Sequence, residues 1–188
     1  MKKTIRTAGG LALATLLLAA TAAQAQAQIT FRNVTDGSAL DLNNAREEGR
    51  DTPGVKQFLE TGKNPYNEKP ACLKLGEDLM LTACSACHGH YAEGKIGPSL
   101  TDDYWTYPEG KIDEGLFSII FGGARAQMGP QYLSLTLDEM LQVMAWVRHI
   151  YHGPVEAADW MTDEQRKTYK PWSPDQKLDV PAGATCAP

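Results

Sequence analysis

Apolar residues recur at intervals of three and four in four parts of this chain, which is the spacing of one face of an α-helix. The helical pattern covers 53–61, 71–84, 113–121 and 137–151. Only one short segment, 29–34, alternates apolar and polar residues as a strand would. The pattern therefore predicts an all-α protein with one isolated strand that has no visible partner.

The helix over 137–151 has the clearest boundaries. It is preceded by Thr136-Leu137-Asp138-Glu139, which has the form of a capping box. Its apolar stripe consists of Met140, Val143, Met144, Val147 and Tyr151. Gly153-Pro154 is predicted to end this helix.

The helix over 71–84 is predicted to pack through Leu75, Leu79 and Met80, with Gly76 beside them. A glycine inside a helix costs up to about 1 kcal/mol relative to alanine, so it indicates the close approach of another element. We therefore expect this helix to cross the capped C-terminal helix near Gly76.

The first 27 residues have the features of a secretory signal peptide. Three cations precede the apolar run 11–20, and small residues follow at the cleavage positions Ala25 and Ala27. The apolar run is shorter than the roughly 20 residues of a membrane span, and no later segment approaches that length. We predict a periplasmic protein with no membrane span.

A chain of 188 residues with 43% hydrophobic content suits one compact domain with extensions. The sequence divides into four predicted parts. They are the signal peptide 1–27, an N-terminal extension 28–70, a core 71–153 and a C-terminal extension 154–188.

The formal net charge is −5, and it becomes −8 when the three cations of the signal peptide are removed. Such acidity disfavours binding to nucleic acid or to an anionic membrane. It suits a basic partner, or it serves solubility alone.

The chemistry concentrates in Cys84-Ser85-Ala86-Cys87-His88. Two cysteines separated by two residues and followed directly by histidine have the spacing that attaches a c-type haem. The thiols of Cys84 and Cys87 can reach two vinyl groups of one porphyrin edge, and the imidazole of His88 can ligate the iron. The alternatives are a redox CxxC pair and half of a zinc site. The first requires a βαβ pattern and the second a further ligand pair, and neither is visible.

The other two cysteines, Cys72 and Cys186, each stand alone in the sequence. Because export permits disulfides, we expect them to form one bridge, with two unpaired thiols as the alternative. Closing a loop of this length stabilises a fold by about 4.7 kcal/mol in the chain-entropy model.

The opposite face of the haem needs a second ligand, and Met128 is the candidate. It lies in the loop segment Met128-Gly129-Pro130, whereas the other methionines fall in the signal peptide, in helices or in the tail. Methionine is a usual ligand where a haem cycles between ferrous and ferric states at a raised potential. The alternatives are that Met128 only fills the core, or that His149 or His152 ligates the iron.

A turn and an aromatic cluster lie between the two candidate ligands. A ligating histidine needs an acceptor for its Nδ1–H, and the Pro98 carbonyl in Gly97-Pro98-Ser99-Leu100 is placed for this role. Three rings follow, at Tyr104, Trp105 and Tyr107. They either pack in the core, or Trp105 or a tyrosine hydroxyl bonds a haem propionate.

The order of helix, CxxCH, Gly-Pro-x-Leu, methionine loop and C-terminal helix resembles the class I cytochrome c fold, here with N- and C-terminal extensions. Longer stretches resemble one family of that class, cytochrome cL, the electron acceptor of quinoprotein methanol dehydrogenase in methylotrophic bacteria. Those stretches are 87–98, 104–108, 122–124 with 128–130, and 145–149, together with 50–53 and 162–165 in the extensions.

The resemblance implies one covalent haem c, attached through Cys84 and Cys87 and ligated by His88 and Met128. It implies an electron carrier rather than an enzyme. The donor would be a methanol dehydrogenase that depends on pyrroloquinoline quinone (PQQ), and the acceptor a small periplasmic cytochrome c. The family can also carry calcium near a haem propionate, although no ligands for it can be assigned in this sequence.

Two other functions remain open at this stage. One is a general c-type electron carrier for a different periplasmic dehydrogenase or reductase. The other is a haem enzyme or gas sensor with an open iron site, which requires that Met128 does not ligate the iron.

Overall fold

A computed structural model describes residues 29–188, so the predicted signal peptide lies outside the described residues. The described chain forms α1 (Pro53–Thr61), α2 (Pro70–Leu79), α3 (Ser85–His88), α4 (Asp113–Gly122), α5 (Leu137–His149) and α6 (Asp163–Thr168). No β-strand occurs within residues 29–188, which confirms the all-α prediction. Across the same residues, no helix combines the length and the apolar character that a bilayer crossing requires.

The predicted strand over 29–34 is wrong. Arg32 and Ala39 form one isolated antiparallel bridge instead. Between them, the side chains of Asn33 and Asp36 accept hydrogen bonds from nearby backbone N–H groups at 2.8 and 2.9 Å. Such short polar side chains stabilise turns in competition with a strand ladder, so the segment folds back on itself.

The predicted crossing of α2 and α5 is confirmed. A Cβ atom added at Gly76 would lie 2.1 Å from the carbonyl oxygen of Gln142 on α5. The capping box that begins α5 is also formed, with Thr136 and Glu139 bonding each other's backbone N–H groups. The two helices that frame the core are therefore in backbone contact, which only glycine permits at this position.

The buried side of α2 differs from the predicted one. Leu73, Gly76 and Met80 are buried, whereas Leu75 is 44% exposed. Leu73 and Met80 lie three residues before and four residues after Gly76, so they share its face, while Leu75 is turned away by about 100°. The contact with α5 is centred on the glycine rather than on the Leu75–Leu79 pair.

The helix α5 ends earlier than Gly153 would suggest. Its last residue is His149. The His152 N–H donates to the Thr101 carbonyl at 2.9 Å, because the chain has left the helix axis by this point. Tyr151 is buried beyond the helix rather than on its apolar stripe.

Two carboxylates attach the N-terminal extension to the core. Asp138 of α5 accepts hydrogen bonds of 2.6 Å from the hydroxyls of Thr52 and Tyr66. Asp113 at the start of α4 accepts a hydrogen bond of 3.0 Å from the backbone N–H of Asn64. The extension therefore reaches the first turns of both α4 and α5.

A disulfide attaches the C-terminal extension to the core, and a cation folds the extension onto its own first residues. Cys72 and Cys186 form the predicted disulfide, which spans 114 residues. Within the extension, Arg166 donates to the carbonyls of Val155 and Ala158 at 2.7 Å each. The tail is thus tied to α2 and to its own first turn.

We expect Gly76→Ala to destabilise the protein by about 3 kcal/mol, because the added methyl group would meet backbone that cannot move independently. Denaturant unfolding followed by circular dichroism measures this. Leu75→Ala, on the exposed side of the same helix, is the matched control and should change stability by less than about 1 kcal/mol. Equal effects would place the helix contact elsewhere.

Tyr66 makes stability depend on alkaline pH. Burial, with a smaller contribution from the hydrogen bond to Asp138, raises the pKa of Tyr66 to about 12 from its ordinary value of 10.0. The stabilisation is complete below pH 10 and is lost as pH rises towards 12, because the unfolded chain releases its proton first. The loss is about 3 kcal/mol.

Unfolding free energies measured from pH 8 to 12 should fall less steeply in Tyr66→Phe than in the wild type. Some fall should remain, since burial also raises the pKa of Tyr151 to about 12. Tyr104→Phe removes the hydroxyl of a side chain that is 69% exposed and should leave the wild-type slope unchanged. An unchanged slope in Tyr66→Phe would contradict the assignment.

Candidate functional site

The Cys84–His88 segment follows one widened helical turn. After Leu79 the chain continues as π-helix over Met80–Cys84, which leads directly into α3. The hydroxyl of Ser85 donates to the carbonyl of Leu81 at 2.6 Å across this junction. Single π-helical turns are rare and frequently occur at functional sites. The turn sets the position of both cysteines relative to α2.

The imidazole of His88 is buried and held in one orientation. Its Nδ1 donates to the Pro98 carbonyl at 2.8 Å, which is the contact expected from the sequence. This bond leaves Nε2 as the free ring nitrogen, the atom that a metal would take. Gly97 lies against the ring, since a Cβ at that position would be 2.7 Å from its Cε1.

Cys84 and Cys87 are the free cysteines of the described chain, and both are half-buried. Burial raises the pKa of the Cys84 thiol, with a smaller contribution from Cys87. Cys84 packs against the hydrophobic core. Two half-buried thiols beside an oriented histidine, one of them packed against the apolar core, suit the attachment of a porphyrin edge.

Met128 lies in the loop that follows α4. The Ala124 N–H donates to the Met128 carbonyl at 2.9 Å, which closes the loop. A Cβ at Gly123 would lie 2.7 Å from the same carbonyl oxygen. The side chain of Met128 is half-buried and packs against the core. Backbone contacts at the Met128 carbonyl therefore fix the conformation of this loop.

The segment 98–107 joins the two parts of the site. It begins at Pro98, whose carbonyl holds His88. It ends at Tyr107, whose hydroxyl accepts a hydrogen bond of 3.0 Å from the backbone N–H of Arg125 in the Met128 loop. This segment therefore runs from the His88 side of the site to the Met128 side.

The other histidines have different partners. His149 Nδ1 lies 3.0 Å from a carboxylate oxygen of Glu68. The ring of His90 packs edge-on against Tyr91, at 4.7 Å between ring centroids. Across residues 29–188, no group of three or more histidine, cysteine, aspartate or glutamate side chains could hold a metal ion, and nothing there supports calcium.

One buried charge was not predicted from the sequence. Arg148 of α5 is 2% exposed and forms an ion pair of 2.9 Å with Asp113. Its position in the sequence does indicate this burial, because Arg148 lies four residues after Met144 on the apolar stripe of α5. A cation at that position has to find a buried partner.

The helical core, the Cys-x-x-Cys-His segment and the histidine held by a proline carbonyl define a c-type cytochrome. The family model "Cytochrome C oxidase, cbb3-type, subunit III" matches residues 71–147. Cytochrome c-L of Methylorubrum extorquens is 50% identical over 187 residues, which cover 95% of each chain. This chain belongs to the cytochrome cL family.

Two solved structures agree with this assignment. Cytochrome cL from Methylophaga aminisulfidivorans has a TM-score of 0.75 and 52% identity, covering 79% of this chain and 99% of its own. Cytochrome cL from Hyphomicrobium denitrificans has a TM-score of 0.73 and 54% identity, covering 78% and 88%. The class I cytochrome c fold is thereby confirmed, and the chain is an electron carrier with covalently bound haem c, not an enzyme.

The residues present fit a haem. In the described chain, three buried donors have no protein partner, and two of them, Trp105 Nε1 and Arg148 Nη1, lie in one cluster; the third is Arg50 Nε of the N-terminal extension. Cys84, Leu100, Trp105 and Met128 are all half-buried at the edge of the core. Donors that need an acceptor, next to half-covered apolar side chains, suit a large cofactor with both polar and apolar parts.

We expect Gly97→Ala to disturb the haem iron, because the added methyl group would push the His88 imidazole away from the Pro98 carbonyl. If His88 ligates the iron, the ferric low-spin fraction should fall and the midpoint potential should rise, since an imidazole that loses its acceptor is a less basic ligand and stabilises ferric iron less. Visible spectroscopy and redox titration measure this. Ile96→Ala removes a neighbouring side chain that is 75% exposed and should match the wild type. A normal low-spin spectrum in Gly97→Ala would refute the contact.

Proposed function

We propose that this chain is a periplasmic carrier that takes single electrons from a PQQ-dependent methanol dehydrogenase and passes them to another small cytochrome c. The observation that carries the proposal is the 50% identity to cytochrome c-L over 95% of both chains. Such extensive similarity includes the extensions as well as the haem-binding core. The proposal includes export, with removal of residues 1–27, and boundaries of the core at 70/71 and 153/154.

Four side chains are proposed to hold the haem. Cys84 and Cys87 would form the two thioether bonds, which is supported by their being free while the other two cysteines are paired. His88 and Met128 would be the axial ligands. The free Nε2 of His88 and the closed backbone loop around Met128 support these roles.

This ligand set favours outer-sphere electron transfer. The haem supplies reversible one-electron chemistry when bound. His88 and Met128 would occupy both axial positions, which leaves the iron without a site for a substrate. The chain would then act by orienting the haem, by excluding water from it and by setting its potential through Met128 and the His88–Pro98 bond.

The charge of the chain bears on how partners meet. After removal of the three signal-peptide cations the formal charge is −8. Opposite charges on two partners speed their encounter, and added salt reduces this effect. We therefore expect the donor to present a basic surface to this carrier.

Stopped-flow reduction of the ferric protein by methanol dehydrogenase and methanol tests the proposal. The wild type should be reduced rapidly, and the rate should fall as ionic strength rises. Met128→Ala should lose the charge-transfer band of a methionine-bound haem and show a lowered potential. Met161→Ala, which removes a methionine of the C-terminal extension, should leave both unchanged.

Two outcomes would contradict the proposal in different ways. A wild type that accepts electrons from a small artificial donor but not from methanol dehydrogenase would be a carrier for a different periplasmic enzyme. Carbon monoxide binding to the native ferrous protein would indicate an open iron site and hence a haem enzyme or gas sensor. Either result leaves the family assignment intact.

A further inference from the structure

The loop that carries Met128 has an exposed tip, formed by residues 125–127. Within this tip, Ala126 adopts the left-handed backbone conformation, with a φ of 67°. Alanine rarely adopts this conformation, because its Cβ crowds the following carbonyl oxygen, so the conformation persists only where other contacts impose it. The hydrogen bond between Ala124 and Met128 closes the loop on itself, but it does not join the tip to the rest of the molecule.

A single hydrogen bond makes that connection. The backbone N–H of Arg125 donates to the Tyr107 hydroxyl at 3.0 Å, between residues that are 18 positions apart. Among residues 29–188, no other hydrogen bond or ion pair links 125–127 to a part of the chain outside the loop. Because the tip has no buried side chain, its position depends on this one bond.

Tyr107 is itself fixed to the buried core. Its carbonyl accepts a hydrogen bond of 2.9 Å from the Gly110 N–H, within the 3₁₀ turn Pro108–Lys111. The Gly110 carbonyl in turn accepts a hydrogen bond of 3.0 Å from Nη2 of Arg148, which is buried on α5. The Tyr107 hydroxyl therefore offers the loop an acceptor that is attached to the most buried helix of the protein.

We propose that Tyr107 is a positioning residue for Met128, and that its hydroxyl controls how often Met128 leaves the iron. This inference rests on the proposed ligation of the iron by Met128. Departure of the methionine moves the loop away from the core, which breaks the bond between Arg125 and Tyr107. Release of the strained backbone at Ala126 favours this opening, and the hydrogen bond opposes it.

The strength of one hydrogen bond sets the size of the effect. The net contribution of a typical hydrogen bond to stability corresponds to about a two- to tenfold change in an equilibrium constant. Loss of the Tyr107 hydroxyl should therefore raise the population of the methionine-free state by that factor. An added ligand that binds only the methionine-free iron should then bind more tightly by the same factor.

Imidazole binding to the ferric, haem-loaded protein tests the inference. At saturating imidazole, the observed rate is the rate at which Met128 leaves the iron, and the apparent affinity reports the population of the open state. Tyr107→Phe keeps the ring and removes the hydroxyl, so the rate should rise and the affinity should increase about two- to tenfold.

Tyr104→Phe is the matched control for this change. Tyr104 lies in the same segment and is 69% exposed, and its hydroxyl forms no hydrogen bond within residues 29–188. Its variant should bind imidazole as the wild type does. Equal rates and affinities in Tyr107→Phe and Tyr104→Phe would overturn the inference.

A double variant separates the positioning of Met128 from a general loss of stability. In a Met128→Ala background, imidazole meets an iron that needs no loop opening. Adding Tyr107→Phe to that background should therefore change neither the rate nor the affinity. If Tyr107→Phe has the same effect in both backgrounds, the hydroxyl does not act through Met128 and the inference is wrong.

Hydrogen exchange of the wild type gives a second readout, which decides the matter if Tyr107→Phe does not fold. The Arg125 amide should be protected from exchange in the ferric protein, and it should lose this protection when imidazole saturates the iron. An Arg125 amide that exchanges equally fast with and without imidazole would overturn the inference.

These outcomes are separable from those of the proposed function. A wild-type ferric protein that lacks the charge-transfer band of a methionine-bound haem would contradict the ligation by Met128, and this inference with it. With that band present, a Tyr107→Phe variant that behaves like Tyr104→Phe overturns this inference alone. Reduction by methanol dehydrogenase tests the donor independently of both results.

Discussion

The close crossing of α2 and α5 is the contact on which the other parts of the structure depend. It requires a residue without a side chain, since a Cβ at Gly76 would lie 2.1 Å from the Gln142 carbonyl oxygen. The helix α2 leads into the cysteine-histidine segment, and α5 carries Arg148. One crossing therefore sets the position of the cysteine-histidine segment relative to the buried cation.

Two carboxylates in the interior accept hydrogen bonds from several parts of the chain. Asp138 accepts hydrogen bonds from the hydroxyls of Thr52 and Tyr66. Asp113 accepts hydrogen bonds from the N-terminal extension and from Arg148. Removing one partner of such a buried pair typically costs 3–5 kcal/mol, because the other charge is left without compensation. The N-terminal extension is therefore coupled to the charge cluster beside the site.

Some interior features follow from local sequence and others do not. The helices over 53–61 and 113–121 and the capping box at Thr136 were predictable, because caps and apolar spacing act over a few residues. The Pro98 contact of His88 was predictable as well, since a ligating histidine requires a nearby acceptor. The strand over 29–34 and the buried role of Leu75 were wrong, because side-chain turns and a partner helix decide those features.

The sequence by itself indicated the haem chemistry and the helical class, because each depends on residue type at short spacing, and it led us to expect the Cys72–Cys186 bridge that the structure contains. Only the tertiary structure decided which face of α2 is buried and how Trp105 and Arg148 come together. Those two residues are 43 positions apart, and their unpartnered donors become visible only when every neighbouring side chain is in place. Burial and hydrogen-bond satisfaction depend on the complete packed environment, which local spacing does not encode.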